Sequence, residues 1–140
     1  MQGYNVILLY DKNIKHLLMC KRRNNPYIGL NNLIGGKIEH GECGLHAAYR
    51  ELLEEAGVSK DAVNLVHVMD FKYHLSGCSI EVYAGKLKYD VTVSGDENEL
   101  FWADLDANFF DTNQFAGEGN IGHMVEQVKI HAERIWGDSE

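Results

Sequence analysis

The sequence predicts an α+β fold, and three observations predict it. Leu45 to Ala56 holds neither Gly nor Pro and is rich in Ala, Leu and Glu, the composition of a helix. Pairs of β-prone runs joined by short turns lie on either side of that stretch. Near the C-terminus, Ile121, Met124, Val125, Val128, Ala132, Ile135 and Trp136 follow the three-to-four spacing of a helix packed on a sheet.

In order, Tyr4 to Tyr10 (YNVILLY) is an apolar β-prone run, Asp11-Lys12-Asn13 a turn, and Lys15 to Lys21 a second strand, together a hairpin. Asn24 to Asn32 is a loop, followed by a short strand, Leu33-Ile34, that runs into Gly35-Gly36. Gly57 stands where a helix C-cap favours a residue tolerant of left-handed backbone. Ser59-Lys60-Asp61 is a turn. Val63 to Leu75 and Cys78 to Tyr89 form a second hairpin about Ser76-Gly77, and Phe101-Trp102-Ala103 is a short strand. Phe109 to Asn120 is a long loop before a terminal helix from about Ile121 to Trp136.

At 140 residues and 45% hydrophobic, the chain is sized for one domain with an ordinary core. A net charge of −8 excludes the electrostatic footprint of a nucleic-acid duplex binder. Cys20, Cys43 and Cys78 are odd in number, widely spaced and in no metal-ligand pattern, which suggests a reducing compartment. No basic leader with an apolar core and no apolar run of membrane-span length occurs, so the expectation is a cytoplasmic protein with no membrane association.

On a wheel of about 100° per residue, Glu51, Glu54 and Glu55 share one face of the helix. Leu45, Ala48, Tyr49, Leu52, Leu53 and Ala56 form the expected apolar face, with Arg50 at the acidic border. Like charges at this spacing repel, and carboxylates near a helix C-terminus oppose the dipole. A hard divalent cation would reverse both penalties; a solvated acidic face with Arg50 as counter-charge is the other reading.

The spacing around the helix is more specific. Gly36 is followed by five residues and Glu42, then seven residues and Arg50-Glu51-Leu52, one residue, Glu54-Glu55, one residue, and Gly57-Val58. This pattern resembles the Nudix box, GX5EX7REUXEEXGU with U aliphatic, at every specified position. The resemblance implies an α/β/α sandwich with a mixed central sheet, a box helix and a C-terminal helix. It also implies a Mg²⁺- or Mn²⁺-dependent hydrolase that splits a nucleoside diphosphate linked to a group X.

The same resemblance assigns residues. Glu51, Glu54, Glu55 and the Gly35 carbonyl would hold metal, with Glu97 of the acidic loop as an added carboxylate and Glu99 as its runner-up. Arg50 would orient Glu51 or pair with Glu42. Lys21-Arg22-Arg23 at a strand end serves solubility or clamps a polyphosphate, with Lys21 and Arg23 ahead because they fall on one side of an extended strand. Lys37 would face the phosphates. Asn32 takes the place of an Asn that reads a purine edge in MutT-like enzymes, or is a turn residue. Asn31 stands where many relatives carry Trp. Phe71 and Tyr73 wall the nucleoside or pack in the core. Glu118 and Asn120 are candidates to complete base recognition, Asn120 equally a helix N-cap.

For substrate, a compact chain with Asn32 leans toward (deoxy)nucleoside triphosphates, oxidised purine nucleotides such as 8-oxo-dGTP among them. ADP-sugars and dinucleoside polyphosphates are alternatives in the same class, and a nucleotide-sensing module without turnover the alternative outside it. Homodimers are frequent among relatives.

Overall fold

The computed structural model describes residues 1–23, 28–95 and 98–137. Among the described residues seven strands form one mixed sheet: β1 (Gln2–Tyr10), β2 (His16–Lys21), β3 (Asn31–Asn32), β4 (Ile34–Lys37), β5 (Val66–Tyr73), β6 (Cys78–Lys86) and β7 (Glu99–Asp104). The main path runs β3-β2-β1-β6-β5, with β4 paired to β1 and β7 to β2. β1 is central. It runs parallel to β6 along its whole length, from Gln2 opposite Cys78 to Tyr10 opposite Lys86.

On its other side β1 meets β2 only at Tyr10 and Leu17, then pairs with β4 from Tyr4–Lys37 to Ile7–Ile34. The sheet therefore forks where β2 and β4 part company. That fork is where the candidate site lies.

β1 is apolar on both faces because both faces are covered. Ile7 and Leu9 pack with Leu52, Ala48 and Ala56 of helix α1 (Gly44–Ala56). Leu8 and Tyr10 pack with Met124, Val125 and Val128 of helix α2 (Asn120–Ile130) and with Ile135 of helix α3 (Ala132–Trp136). The result is an α/β/α sandwich with a mixed sheet.

α1 ends as its sequence predicts. Gly57 has φ 69°, and the N–H groups of Gly57 and Val58 bond the carbonyls of Leu53 and Leu52. The apolar face is a correction. Leu45 and Leu53 are 40% and 55% exposed, whereas Ala47, Ala48, Leu52 and Ala56 are buried. The buried stripe is rotated toward the acidic face, so Glu51 and Glu55 sit at the edge of the helix–sheet interface. Small alanines allow the close approach that makes this rotation the better packing.

Other boundaries also shift. The predicted Val63–Leu75 strand begins at Val66 and ends at Tyr73, after a 3₁₀ turn over Lys60–Ala62. The single terminal helix is two, broken at His131. Asn120 is not the N-cap: Gly119 is, at φ 94°, and Asn120 is the first helical residue. All three cysteines are free. Among the described residues no helix is long and apolar enough to cross a membrane.

Candidate active site

The sequence turns Gly35-Gly36 into a strand that α1 can approach closely. A Cβ on Gly36 would stand 2.5–2.9 Å from the carboxylate of Glu51, and one on Gly35 would run into the Asn5 carbonyl. Glycine is required at both positions for this packing. Glu55 Oε2 accepts from the Gly35 N–H at 3.1 Å, which ties the last turn of α1 to β4.

Glu51, Glu54 and Glu55 line one cleft with Gly35, Gly36, Ile34, Cys20, Asn98 and Leu100. The cleft measures about 360 Å³ and opens at the fork in the sheet. It thus joins the box helix, the ends of β2 and β4, and the start of β7.

Arg50 organises the carboxylates. Its Nε and Nη2 donate to the two oxygens of Glu42 at 2.8 and 3.0 Å, a bidentate pair. Nη1 donates to Glu51 at 3.1 Å and Glu54 at 3.2 Å, and Nη2 also to the Lys37 carbonyl at 3.1 Å. Arg50 thus contacts both of the carboxylates named for it, Glu42 and Glu51. It links the loop before α1, strand β4 and the acidic helix face.

The charges respond to this arrangement. The hydrogen bond from Arg50 holds the Glu42 carboxyl down to about 2. Glu51 moves the other way: burial raises it, and Arg50 only partly offsets that. Its side chain is 13% exposed, against 58% for Glu54. Burial also pushes the Cys20 thiol up to about 11, with nearby Glu55 adding to the effect.

The donor chemistry fits a hard divalent cation. Three carboxylates face one polar cleft beside backbone of the glycine pair, and oxygen donors are what Mg²⁺ and Mn²⁺ prefer. As they stand, no three His, Cys, Asp or Glu side chains among the described residues are gathered closely enough to hold an ion. The reason is visible: Arg50 holds Glu51 and Glu54, and Glu55 is on the Gly35 N–H.

The remaining expected residues scatter more widely. Lys21 is exposed at the end of β2, opposite Asn31 on one side and Glu99 on the other. Glu99 is therefore a strand residue rather than a loop residue. Arg23 and Lys37 are exposed. Asn32 sits opposite Cys20, and its Oδ1 accepts from the Leu33 N–H at 2.8 Å. That oxygen serves the local chain, as in a turn residue. Asn31 instead has a buried Oδ1 with no hydrogen-bond partner. Glu97 lies outside the described residues; its neighbour Asn98 lines the cleft.

Phe71 and Tyr73 are not brought to the glutamates. Phe71 packs with the layer on the α2 side, opposite the face that carries α1. The Phe71 and Tyr73 rings stack at 6.4 Å, His123 meets Phe71 edge-on at 6.2 Å, and Asn120 Nδ2 donates to the Tyr73 hydroxyl at 2.7 Å. Glu118 stands in left-handed backbone at φ 56°, between Gly117 and Gly119. Asn120 is thus joined to Tyr73 in an aromatic wall, with Glu118 at its rim.

Sequence reasoning missed Asn5 and Cys20. Asn5 is 1% exposed, and its Oδ1 accepts from the Gly36 N–H at 3.2 Å. A lone amide inside the apolar run YNVILLY was the available signal, because a buried amide needs a partner.

Fold and cleft together define a Nudix protein with its box intact. A model of the NUDIX domain matches residues 2–123, and the chain belongs to that family. An ADP-ribose pyrophosphatase of Methanocaldococcus jannaschii is 33% identical over 104 residues, which is 69% of this chain and 55% of that protein. The chain thus spans little more than half the length of that relative. Similar solved structures include an Ap4A hydrolase from C. elegans, at TM-score 0.74 and 19% identity, covering 94% of this chain and 99% of that one. The NUDIX domain of Shewanella oneidensis NrtR, complexed with ADP ribose, gives 0.71 at 18% identity, covering 93% and 87%. The E. coli dihydroneopterin triphosphate pyrophosphohydrolase gives 0.70 at 19%, covering 89% and 92%. At these identities the structural likeness speaks to the fold.

Proposed function

We propose that this chain is a pyrophosphohydrolase that splits the diphosphate linkage of a nucleoside diphosphate derivative. The favoured substrate is a (deoxy)nucleoside triphosphate, oxidised purine nucleotides such as 8-oxo-dGTP included. The products are then a nucleoside monophosphate and pyrophosphate. One observation carries the reading: Glu51, Glu54 and Glu55 line the same cleft as the Gly35-Gly36 backbone.

Glu51, Glu54, Glu55 and the Gly35 carbonyl would hold Mg²⁺ or Mn²⁺, with Glu97 as the loop carboxylate. Bound there, the cation polarises phosphoryl oxygens, lowers the pKa of water and offsets developing negative charge. The protein's own part is positional. Arg50, itself held by Glu42, bonds Glu51 and Glu54 directly and so fixes their rotamers, and Glu55 anchors the helix to β4. A water oxygen attacks one phosphorus, the P–O bond to the bridging oxygen breaks, and Glu97 takes the water proton. Lys21 and Arg23, exposed at and just past the end of β2, meet the phosphate chain, while Lys37, expected there too, alternates onto the opposite face from Gly36. Asn32, Phe71, Tyr73, Glu118 and Asn120 form the nucleoside side, reached across the sheet edge.

ADP-ribose is the second reading, favoured by the 33% identity to an ADP-ribose pyrophosphatase. A phosphate-release screen decides between them. It uses Mg²⁺ and added pyrophosphatase for nucleoside triphosphates including 8-oxo-dGTP, and added phosphatase for ADP-ribose and diadenosine polyphosphates. Metal-dependent release from triphosphates supports the first reading, and release from ADP-ribose alone the second. Silence throughout, with thermal stabilisation by one nucleotide, makes the chain a sensing module.

A further inference from the structure

Beneath α1 lies a row that begins at Gly36 of the box and continues through two residues outside it. Gly36, Asn5 and Glu81 stand side by side on β4, β1 and β6, each in register with the next. Both ends of this row touch the helix. Glu51 rests against Gly36, and Gly44, the first residue of α1, rests against Glu81. A Cβ on Gly44 would fall inside the Glu81 carboxylate and stand 2.6 Å from the Tyr83 hydroxyl. That hydroxyl donates to Glu81 Oε1 at 2.5 Å, fixing the carboxylate under the helix.

The dimensions match. From Gly44 to Glu51 the helix advances seven residues, about 10.5 Å. From β6 to β4 across β1 is two strand spacings, about 9.6 Å. The helix therefore spans the row and is seated at both ends. Between the two seats, Asn5 accepts from Gly36 through Oδ1, while its Nδ2 is buried without a partner. The row is a rigid gauge, since each member meets a backbone or a fixed side chain.

We propose that Glu81, held by Tyr83, is a positioning residue for the box carboxylates: it sets the height of α1 over the sheet and so the placement of Glu51 above Gly36. This rests on the hydrolase reading above. Removing the Glu81 seat lets the N-terminal end of α1 settle toward β6, which tilts Glu51 and its neighbours away from Gly36. Glu81 does not line the cleft, so its effect on the box carboxylates is indirect.

The test compares Glu81→Ala, Glu81→Gln and Tyr83→Phe with the native protein. Mn²⁺ binding is followed by electron paramagnetic resonance, which needs no turnover, together with kcat, KM and Tm. Glu81→Ala should weaken Mn²⁺ binding and lower kcat by about 10- to 100-fold, with KM for the nucleotide little changed. Glu81→Gln keeps an oxygen for the Tyr83 hydroxyl and should rescue both. Tyr83→Phe should give a smaller loss of the same pattern. A folded Glu81→Ala protein with lowered Tm but native Mn²⁺ affinity and kcat overturns the proposal, as does a Glu81→Gln protein no better than the alanine. If Glu81→Ala fails to fold, native Mn²⁺ affinity and kcat in Tyr83→Phe overturn it. A native protein that binds no Mn²⁺ and hydrolyses nothing overturns the hydrolase reading instead.

Discussion

Two rows of residues cross the same four strands one position apart. Gly36, Asn5, Glu81 and Asp70 form the first, and Lys37, Tyr4, Ile80 and Phe71 the second. Alternation sends them to opposite faces. The first row meets α1 at Gly36 and Glu81, with the Asn5 amide between them bonded to Gly36; the second contributes Phe71 and Ile80 to the apolar layer under α2. One face is tuned by hydrogen bonds of fixed geometry, the other by ring contact. Charge chemistry needs positions held to fractions of an ångström, whereas an apolar wall tolerates looser placement.

The comparison can be broken most severely on the charged face. Glu54→Gln and Glu55→Gln should each lower kcat by about 100-fold or more, the scale of lost transition-state charge stabilisation, with the circular dichroism spectrum unchanged. Near-native turnover in both would remove the box carboxylates from the chemistry. Gly36→Ala comes next. Its new Cβ would displace Glu51, and a loss of about 10- to 100-fold in kcat is expected. Denaturant melts should also show about 1–3 kcal/mol of destabilisation.

The aromatic face should respond differently. Tyr73→Phe removes the acceptor for Asn120 Nδ2 and should cost about 1 kcal/mol. Steady-state kinetics should show a raised KM with kcat near native; an equal fall in kcat would mean the two faces are not separable.

Acid titration sharpens the charged side further. Glu42 has a folded value of about 2 against an ordinary 4.5. Its pair with Arg50 therefore contributes stability in full above about pH 5 and loses it as pH falls through the folded value. The Tm difference between native protein and Glu42→Gln should be constant above about pH 5 and shrink steadily below it. The smallest effect belongs to neither face. Gly57→Ala forces a side chain into left-handed backbone and should cost about 1 kcal/mol, with kcat intact.

The box was legible because one contiguous segment carries it, and helical geometry converts its spacing into a face without tertiary knowledge. Gly57 at the C-cap follows from the same local rules, whereas the Arg50–Glu42 pair was one of two roles the family resemblance offered. The rotation of α1 was not legible. Leu45 and Leu53 read as core, yet the alanine stripe won because the glycine strand beneath lets small residues approach closely. The aromatic wall draws on β5 and the start of α2, far apart in sequence, and no spacing rule joins Tyr73 to Asn120. The break at His131 likewise depends on docking, since the apolar periodicity runs straight through it.

The parallel pairing of β1 with β6 has a consequence for how the chain is made. Gln2 pairs with Cys78 and Tyr10 with Lys86, 76 positions later in every case. At ribosomal speeds of about 5–20 residues per second, the central strand waits about 4–15 s for its longest partner. Throughout that interval Ile7 and Leu9 have only the short antiparallel neighbours and α1 for cover, and the layer that covers Leu8 is still to come. This deeply buried strand is thus synthesised well before the partner that encloses it, which makes it a stretch a nascent-chain chaperone would find exposed.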